Sequence, residues 1–278
     1  MSSFARRVAT AAVLIPLVVG SIFALPTGYL ALVFAVVILG AAWEWSGLMG
    51  WTSPARRWMY TLAFIPVLYA AYDAASVSGG GFSVLAIGLL WWFGAAVWVL
   101  RFQKGQGIAA WRAAPVRAVT GLLILVPAWV ALIVLHGAGE AGPSQVLFLL
   151  ALIWVADTSA YLVGRRWGSR RLASRVSPGK TWEGVAAGLV AAAVLAALLG
   201  RHLGIAEQHR PLFMLLCIAM VPISILGDLA ESLFKRQAGV KDSGSVLPGH
   251  GGVLDRIDSL TSAAPFFVLG LAWLDTWR

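Results

Sequence analysis

Between Gly227 and Ser259 the chain reads GDLAESLFKRQAGVKDSGSVLPGHGGVLDRIDS. Acidic and basic residues are dense here, whereas most of the remaining chain is apolar. A glycine-rich turn, Gly249–Gly252, lies just before two closely spaced carboxylates, Asp255 and Asp258. Mixed charge, glycines and carboxylates in one stretch are typical of sites that bind phosphate together with a divalent cation. The stretch therefore predicts where the chemistry lies, and the apolar segments on either side predict the solvent around it.

The composition is that of a membrane protein. The chain has 278 residues, of which 60% are hydrophobic and 12% charged, and its mean hydropathy is +0.83. Soluble domains carry about 25% charged residues. Apolar runs near twenty residues recur along the chain, and such runs are long enough to cross a bilayer. We predict an all-α, polytopic integral membrane protein. The net charge of +9 is explained by basic loops, so we exclude nucleic acid as a partner.

The apolar runs predict about nine transmembrane helices. The predicted segments are 8–25, 29–49, 58–73, 82–100, 117–136, 145–164, 183–200, 211–234 and 260–276. The first resembles a signal peptide, but the second follows at once without a cleavage site, so we expect a retained helical hairpin. The segment 58–73 is the weakest because Pro66 interrupts it.

Loop charge predicts the orientation. With a cytoplasmic N-terminus, all but three of the 21 basic residues fall in cytoplasmic segments, and the exceptions are Arg201, Arg210 and Arg278. This bias is what the positive-inside rule requires. We divide the chain into a transmembrane scaffold of about four helices, residues 1–116, and a transmembrane catalytic region of about five helices, residues 117–278. Both charged loops of the second region then face the cytoplasm.

The carboxylates of the opening stretch have two interpretations. Asp255 and Asp258 are three residues apart and share a helix face, and Asp228 lies near the cytoplasmic end of the preceding segment. Three carboxylates with substrate phosphate oxygens would suit Mg²⁺. The alternative is a structural ion network with Arg256, Lys235 and Lys241. The adjacent glycines are equally consistent with a phosphate-binding turn and with a tight turn alone.

Two further polar groups interrupt the apolar pattern upstream. Ser177–Gly184, SPGKTWEG, precedes the seventh segment. Its Ser177 or Thr181 could cap a helix, or Ser177 and Lys180 could contact a nucleotide phosphate, although the spacing of a P-loop is absent. Asp157 lies inside the sixth segment, as a polar helix–helix contact or as a cavity-lining carboxylate.

Two smaller observations concern single residue types. Glu44, near the inner end of the second segment, is expected at the membrane interface. Of only four lysines, Lys180, Lys235 and Lys241 fall in the charged motifs. Because an ammonium group is more compact than a guanidinium, this distribution supports lysine as a phosphate partner there.

The charged motifs resemble those of the phosphatidate cytidylyltransferases, the CDP-diacylglycerol synthases. The resemblance rests on Ser232–Arg236, on Lys241–Ser245 and on Leu247–Ser259, and it extends to Asp157–Tyr161 and Ser177–Gly184. It covers the second half of the chain through specific motifs and the first half through hydropathy alone.

The resemblance implies an enzyme that transfers CMP from CTP to phosphatidic acid, giving CDP-diacylglycerol and pyrophosphate. It also implies a homodimer, a Mg²⁺ site held by Asp228, Asp255 and Asp258, with the number of cations left open, and a place in the bacterial inner membrane with the site facing the cytoplasm. The implied catalytic residues are Asp228, Asp255, Asp258, Lys241 and His250. The implied substrate-binding residues are Asp157, Ser177, Lys180, Thr181, Glu183, Lys235, Arg236, Asp242, Gly251, Gly252 and Arg256. A CTP-dependent lipid kinase and an ion-coupled transporter are the alternatives. The clustering of charge at one face and the lack of a repeat argue against a transporter.

Overall fold

The computed structural model describes residues 3–76, 79–244, 246 and 251–274, with side chains described for residue 10 and from residue 12 onward. Over these ranges the chain forms nine α-helices and one two-stranded sheet. The helices are α1 Ser3–Ala24, α2 Thr27–Leu48, α3 Pro54–Ser76, α4 Gly80–Gln103, α5 Ala114–His136, α6 Gly142–Trp167, α7 Trp182–Leu199, α8 Arg210–Gln237 and α9 Leu254–Trp273. Each predicted apolar segment overlaps one of them, in order.

Six helices in the described part of the chain are long and apolar enough to cross a membrane, namely α2, α4, α5, α6, α7 and α8. The other three differ for identifiable reasons. In α1 the part with described side chains is the apolar run Ala12–Ala24, and α3 contains charged residues as well as Pro66. Helix α9 begins at Leu254, before the predicted segment 260–276, and its first two turns contain Asp255 and Asp258. The polytopic, helical fold is confirmed, whereas the number of nine spans stays a prediction.

Helix α5 is the centre of the core. Every residue from Ile124 to Ile133 is buried, because α5 packs against α2, α3, α4, α6 and α9. Outer helices leave large apolar side chains exposed, for example Leu90, Leu162 and Val190, as expected for surfaces that face lipid. The predicted scaffold and catalytic regions share this core, since α2 and α4 both contact α9. The division at residue 117 therefore stays a prediction about where the chemistry lies.

The loop between α6 and α7 contains a short hairpin that we did not predict. Its strands are β1 Arg171–Ala173 and β2 Ser177–Thr181, paired antiparallel. The second strand runs directly into α7, and Thr181 caps that helix by accepting a hydrogen bond from the backbone amide of Gly184 (3.2 Å). The capping interpretation of Thr181 is confirmed.

Two glycines of α7 let this helix approach α6 closely. A Cβ atom at Gly184 would lie 2.6 Å from the carbonyl oxygen of Ala160, and one at Gly188 would lie 3.3 Å from that of Ala156. The close approach places the hairpin beside the C-terminal half of α6, where Asp157 lies. The fold thus brings the upstream motifs to the same end of the helix bundle as the α8–α9 connection.

Candidate active site

The hairpin between α6 and α7 is joined to α8 through an ion pair between Lys180 and Asp228. Lys180 Nζ lies 2.6 Å from Asp228 Oδ2, and the side chains are 22% and 29% exposed. Lys180 belongs to β2 and Asp228 to α8, so the ion pair joins the hairpin to the helix bundle. Burial lowers the pKa of Lys180, but the carboxylates of Asp228, Asp157 and Asp258 more than offset this, and the net shift is upward. Lys180 is therefore held as a cation among three carboxylates.

Asp157 connects this cluster to α9. Its Oδ2 accepts a hydrogen bond from Ser259 Oγ (3.2 Å). The neighbouring Asp258 accepts one from the backbone amide of Ser259 (2.8 Å). The helix–helix interpretation of Asp157 is confirmed by this contact, and the carboxylate also acts electrostatically on Lys180. Its place in a cavity stays a prediction. Residues of α6, α8, α9 and the hairpin thus converge on one place.

The crossing of α8 and α9 depends on Gly227. A Cβ atom there would collide with the carbonyl oxygen of Asp258 and with Ser262 Oγ. Ser262 Oγ also donates a hydrogen bond to the carbonyl of Ile223 (2.7 Å), across the same crossing. The absence of a side chain at Gly227 therefore lets the helices meet where Asp228 and Asp258 interact electrostatically.

Replacing Gly227 by alanine should separate the two helices. We expect Gly227→Ala to lower the free energy of unfolding by about 1–3 kcal/mol, as overpacking does in tight cores. Gly94→Ala is the matched control, because Gly94 lies in α4 with no atom near its missing Cβ. Thermal unfolding of both variants in the same detergent tests this. Equal midpoints for the two variants would contradict the role assigned to Gly227.

Glu231 belongs to the site, although it was not among the predicted site residues. Its side chain is buried, with Oε1 3.4 Å from Lys235 Nζ, and its carboxylate interacts with that of Asp258. Within the described residues neither of its oxygens accepts a hydrogen bond. A signal for it existed, since Asp228, Glu231 and Lys235 share one face of an otherwise apolar helix.

Asp255 has a different environment from Asp228 and Asp258. Its Oδ1 lies 2.6 Å from Lys235 Nζ. Its Oδ2 accepts hydrogen bonds from the backbone amides of Gly252 (2.8 Å) and Ser243 (3.1 Å). Asp255 therefore holds the start of α9 against the preceding loop and against α8, as the ion-network interpretation anticipated for this residue.

The donor set fits a cation in its chemistry. Five carboxylates converge with two lysines, the residues being Asp157, Asp228, Glu231, Asp255, Asp258, Lys180 and Lys235. A surplus of negative charge away from bulk water favours a bound cation, and carboxylate oxygens suit Mg²⁺. As they stand, no three His, Cys, Asp or Glu side chains in the described part of the chain are grouped closely enough to hold a metal ion. The assignment of Asp228, Asp255 and Asp258 as ligands stays a prediction, and Asp255 would have to exchange its present partners.

A basic pocket of about 250 Å³ opens beside the carboxylates. Among the described residues, seven line this pocket and six of them are predicted site residues, the set being Ser232, Lys235, Arg236, Lys241, Asp242, Asp255 and Arg256. Four basic side chains against two acidic ones make it attractive to phosphate groups. The pocket shares Lys235 and Asp255 with the carboxylate cluster, so a ligand bound there would lie next to the acids.

The remaining predicted residues lie at the edges of this region. Ser177 begins β2, and Glu183 accepts hydrogen bonds from Ser169 Oγ (2.7 Å) and from the amide of Arg170 (3.2 Å), which ties the hairpin to α7. Gly251 has φ +82°, a conformation that favours glycine, and Gly252 precedes α9. His250 lies outside the described residues, so its catalytic role stays a prediction.

Glu44 is buried inside the protein, and its expected depth at the membrane interface stays a prediction. Its side chain is 1% exposed. It accepts hydrogen bonds from Ser243 Oγ (3.0 Å) and from the backbone amides of Val253 (3.0 Å) and Leu254 (2.9 Å). A glutamate of the predicted scaffold therefore lies directly behind the loop that precedes α9.

Comparison with known proteins identifies the family. A model of the cytidylyltransferase family matches residues 5–274. A phosphatidate cytidylyltransferase of Pseudomonas aeruginosa is 41% identical over 98% of this chain and 98% of its own length. Proteins of the same name from Haemophilus influenzae and Brucella abortus are 37% and 34% identical, over 94% and 97% of this chain and 96% and 93% of their own. The resemblance in the charged motifs thus extends over the whole length, and the chain belongs to the cytidylyltransferase family.

Proposed function

We propose that this chain is a phosphatidate cytidylyltransferase, which transfers CMP from CTP to phosphatidic acid and releases pyrophosphate. The observation that carries the proposal is the basic pocket next to the carboxylate cluster, at the end of a bundle of apolar helices. A lipid phosphate and a nucleotide triphosphate are both polyanions, and one of them is confined to a membrane. Full-length relatives that bear this name support the same conclusion.

The reaction forms a bond between a phosphate oxygen of phosphatidic acid and the α-phosphorus of CTP. The bond from that phosphorus to the oxygen bridging the β-phosphate breaks, and pyrophosphate leaves with the electron pair. The attacking oxygen is already an anion, so the chain need not supply a strong general base. The barrier comes mainly from bringing polyanions together and from charge on the leaving group.

The basic side chains would lower this electrostatic barrier. Lys235, Arg236, Lys241 and Arg256 line the pocket, and they would bind phosphate groups and stabilise the charge of the departing pyrophosphate. Lys180 lies on the other side of the cluster, paired with Asp228, where it can exchange a carboxylate partner for a phosphate.

Asp228 and Asp258, with Asp255 as the predicted third ligand, are the residues that would hold Mg²⁺. When bound there, the ion would supply neutralisation of phosphate charge. A metal also explains why the site keeps more carboxylates than lysines, since the substrates themselves are anionic.

The finer topology belongs to this proposal. We place the N-terminus and the site on the cytoplasmic side of a bacterial inner membrane, with nine spans and a homodimeric assembly. The bias of basic residues toward one side supports the orientation, and this side is where CTP is available. The homodimer rests on the resemblance in the motifs. Chemical cross-linking in membranes tests it, and a cross-linked species at twice the monomer mass is expected.

Acceptor choice tests the proposed function. Purified protein in mixed micelles should consume CTP with phosphatidic acid, and should not do so with diacylglycerol or a polyprenol, which lack the nucleophilic phosphate. The measurements are the CTP consumed and the lipid-linked cytidine formed with each acceptor. Turnover with an alcohol and none with phosphatidic acid would instead identify a lipid kinase.

A further inference from the structure

We propose that Glu44 is a positioning residue for the transferase site. It would act through Ser243 and the N-terminus of α9 on Asp255 and Lys235. The inference rests on the proposed function, because it concerns the same site. It assigns a role in the reaction to a residue of the N-terminal half, far in sequence from the charged motifs.

Three hydrogen-bond donors surround the Glu44 carboxylate. Glu44 Oε1 accepts from the amide of Val253, and Oε2 accepts from the amide of Leu254 and from Ser243 Oγ. Amides in the first turn of a helix have no intrahelical partner, and a negative charge there is stabilised by the helix dipole. Glu44 therefore caps α9 from another helix, although more than 200 residues separate the two in sequence.

Two glycines of the loop leave space for this carboxylate. A Cβ atom at Gly244 or at Gly252 would collide with the Glu44 side chain. Gly252 does not have a positive φ, so its backbone conformation alone does not require glycine. A side chain at position 252 would collide with Glu44 and with Ser243 Oγ, which explains why glycine is present there.

Hydrogen bonds through Ser243 connect Glu44 to the site. Ser243 donates through Oγ to Glu44 and through its backbone amide to Asp255. The amide of Gly252 also donates to Asp255, whose Oδ1 lies 2.6 Å from Lys235 Nζ in the basic pocket. A continuous chain of hydrogen bonds thus runs from α2 to a lysine that lines the pocket, and loss of Glu44 would release the loop that sets this lysine's partner.

The charge of Glu44 is supported from its other side by Arg57. The two side chains attract each other electrostatically. Arg57 is itself fixed by hydrogen bonds to Ser46 Oγ (3.0 Å) and to the carbonyl of Trp43 (2.9 Å), and it lies 4.1 Å above the Trp43 ring. Glu44 is therefore a buried carboxylate attracted by a guanidinium group that is itself fixed in place.

The test is a double-mutant cycle on the full-length protein in detergent, with CTP and phosphatidic acid as substrates. Glu44→Gln replaces one accepting oxygen with an amide group that cannot accept. We expect a fall in kcat of about 10- to 100-fold, the range found when a group that orients a site is removed, with a much smaller change in KM for CTP. Ser243→Ala should lower kcat in the same way. The double variant should be no worse than Glu44→Gln alone, because both changes interrupt one path.

The control is Glu140→Gln, at an exposed glutamate in the loop between α5 and α6, which should keep wild-type kcat. Unchanged kcat in Glu44→Gln, or losses that multiply in the double variant, would overturn the proposal. If Glu44→Gln does not fold, Ser243→Ala decides, since a wild-type kcat in that variant would overturn it. Failure of the wild-type protein to form lipid-linked cytidine is a separate result, which would contradict the proposed function.

Discussion

Replacing Asp258 by asparagine should abolish most of the transferase activity without weakening the fold. We expect kcat/KM to fall by about 10²–10³-fold, the range found when one preorganised electrostatic group is removed from an active site. Asparagine keeps an oxygen that can accept the hydrogen bond from the amide of Ser259. The carboxylate of Asp228 repels that of Asp258, so removal of the charge of Asp258 relieves repulsion. The midpoint of thermal unfolding should therefore be equal to or higher than that of the wild-type protein.

This combination of lost activity and retained stability separates a functional carboxylate from a structural one. Asp73→Asn, at an exposed position of α3, is the control and should change neither quantity. The same variants test the metal assignment, because an ion that binds only the folded protein raises its stability. Mg²⁺ should raise the unfolding midpoint of the wild-type protein and of Asp73→Asn more than that of Asp258→Asn. Near-normal activity of Asp258→Asn would remove this residue from the site.

Replacing Lys180 by alanine should have the second large effect, with the opposite sign for stability. The ammonium group lies among Asp228, Asp157 and Asp258, so its loss leaves like charges without their cation. We expect a lower unfolding midpoint together with a fall in kcat/KM of about 10²-fold. Lys180→Arg keeps the charge but not the compact shape, and should stay well below wild-type activity.

The matched control for Lys180 is the one lysine outside the charged motifs. Lys104 is exposed, just after the end of α4, and Lys104→Ala should leave activity and stability unchanged. Measuring kcat and KM for both substrates, with thermal unfolding, checks the prediction. Kinetics of Lys180→Ala equal to those of Lys104→Ala would show that the ion pair with Asp228 has no part in the reaction.

Hydropathy was sufficient to predict the helices, because a segment that must remain in lipid has to be both apolar and internally hydrogen-bonded. It was less informative where charge enters a helix. The apolar segment predicted for α9 began only at residue 260, whereas the shared helix face assigned to Asp255 and Asp258 had already required a helix at these residues. The hairpin Arg171–Thr181 was missed because Pro178 and Gly179 are poor strand residues. Contacts from elsewhere also hold it, since Gln103 donates a hydrogen bond to Ser174 Oγ and accepts one from the backbone amide of Arg175.

For the site as for the fold, the local sequence pattern predicted some features, whereas the others depend on tertiary contacts. The motifs led to the residues of the basic pocket, because charges that are costly near a membrane indicate function. The partners of those charges could not be read from spacing. Asp255 and Asp258 are three residues apart, yet the first pairs with Lys235 and the second interacts with Glu231 and Asp228. Glu44 reaches the site only through the packing of α2 near α9, which no local pattern encodes.

The fate of the labelled phosphates of CTP is the most direct test of the proposed reaction. Purified protein is incubated with phosphatidic acid and with CTP labelled either at the α-phosphate or at the γ-phosphate. The account predicts that the α-label enters the lipid fraction, that the γ-label leaves as pyrophosphate, and that one pyrophosphate forms for each lipid-linked cytidine. Recovery of the γ-label in lipid with release of CDP, or of no label in lipid, would contradict it.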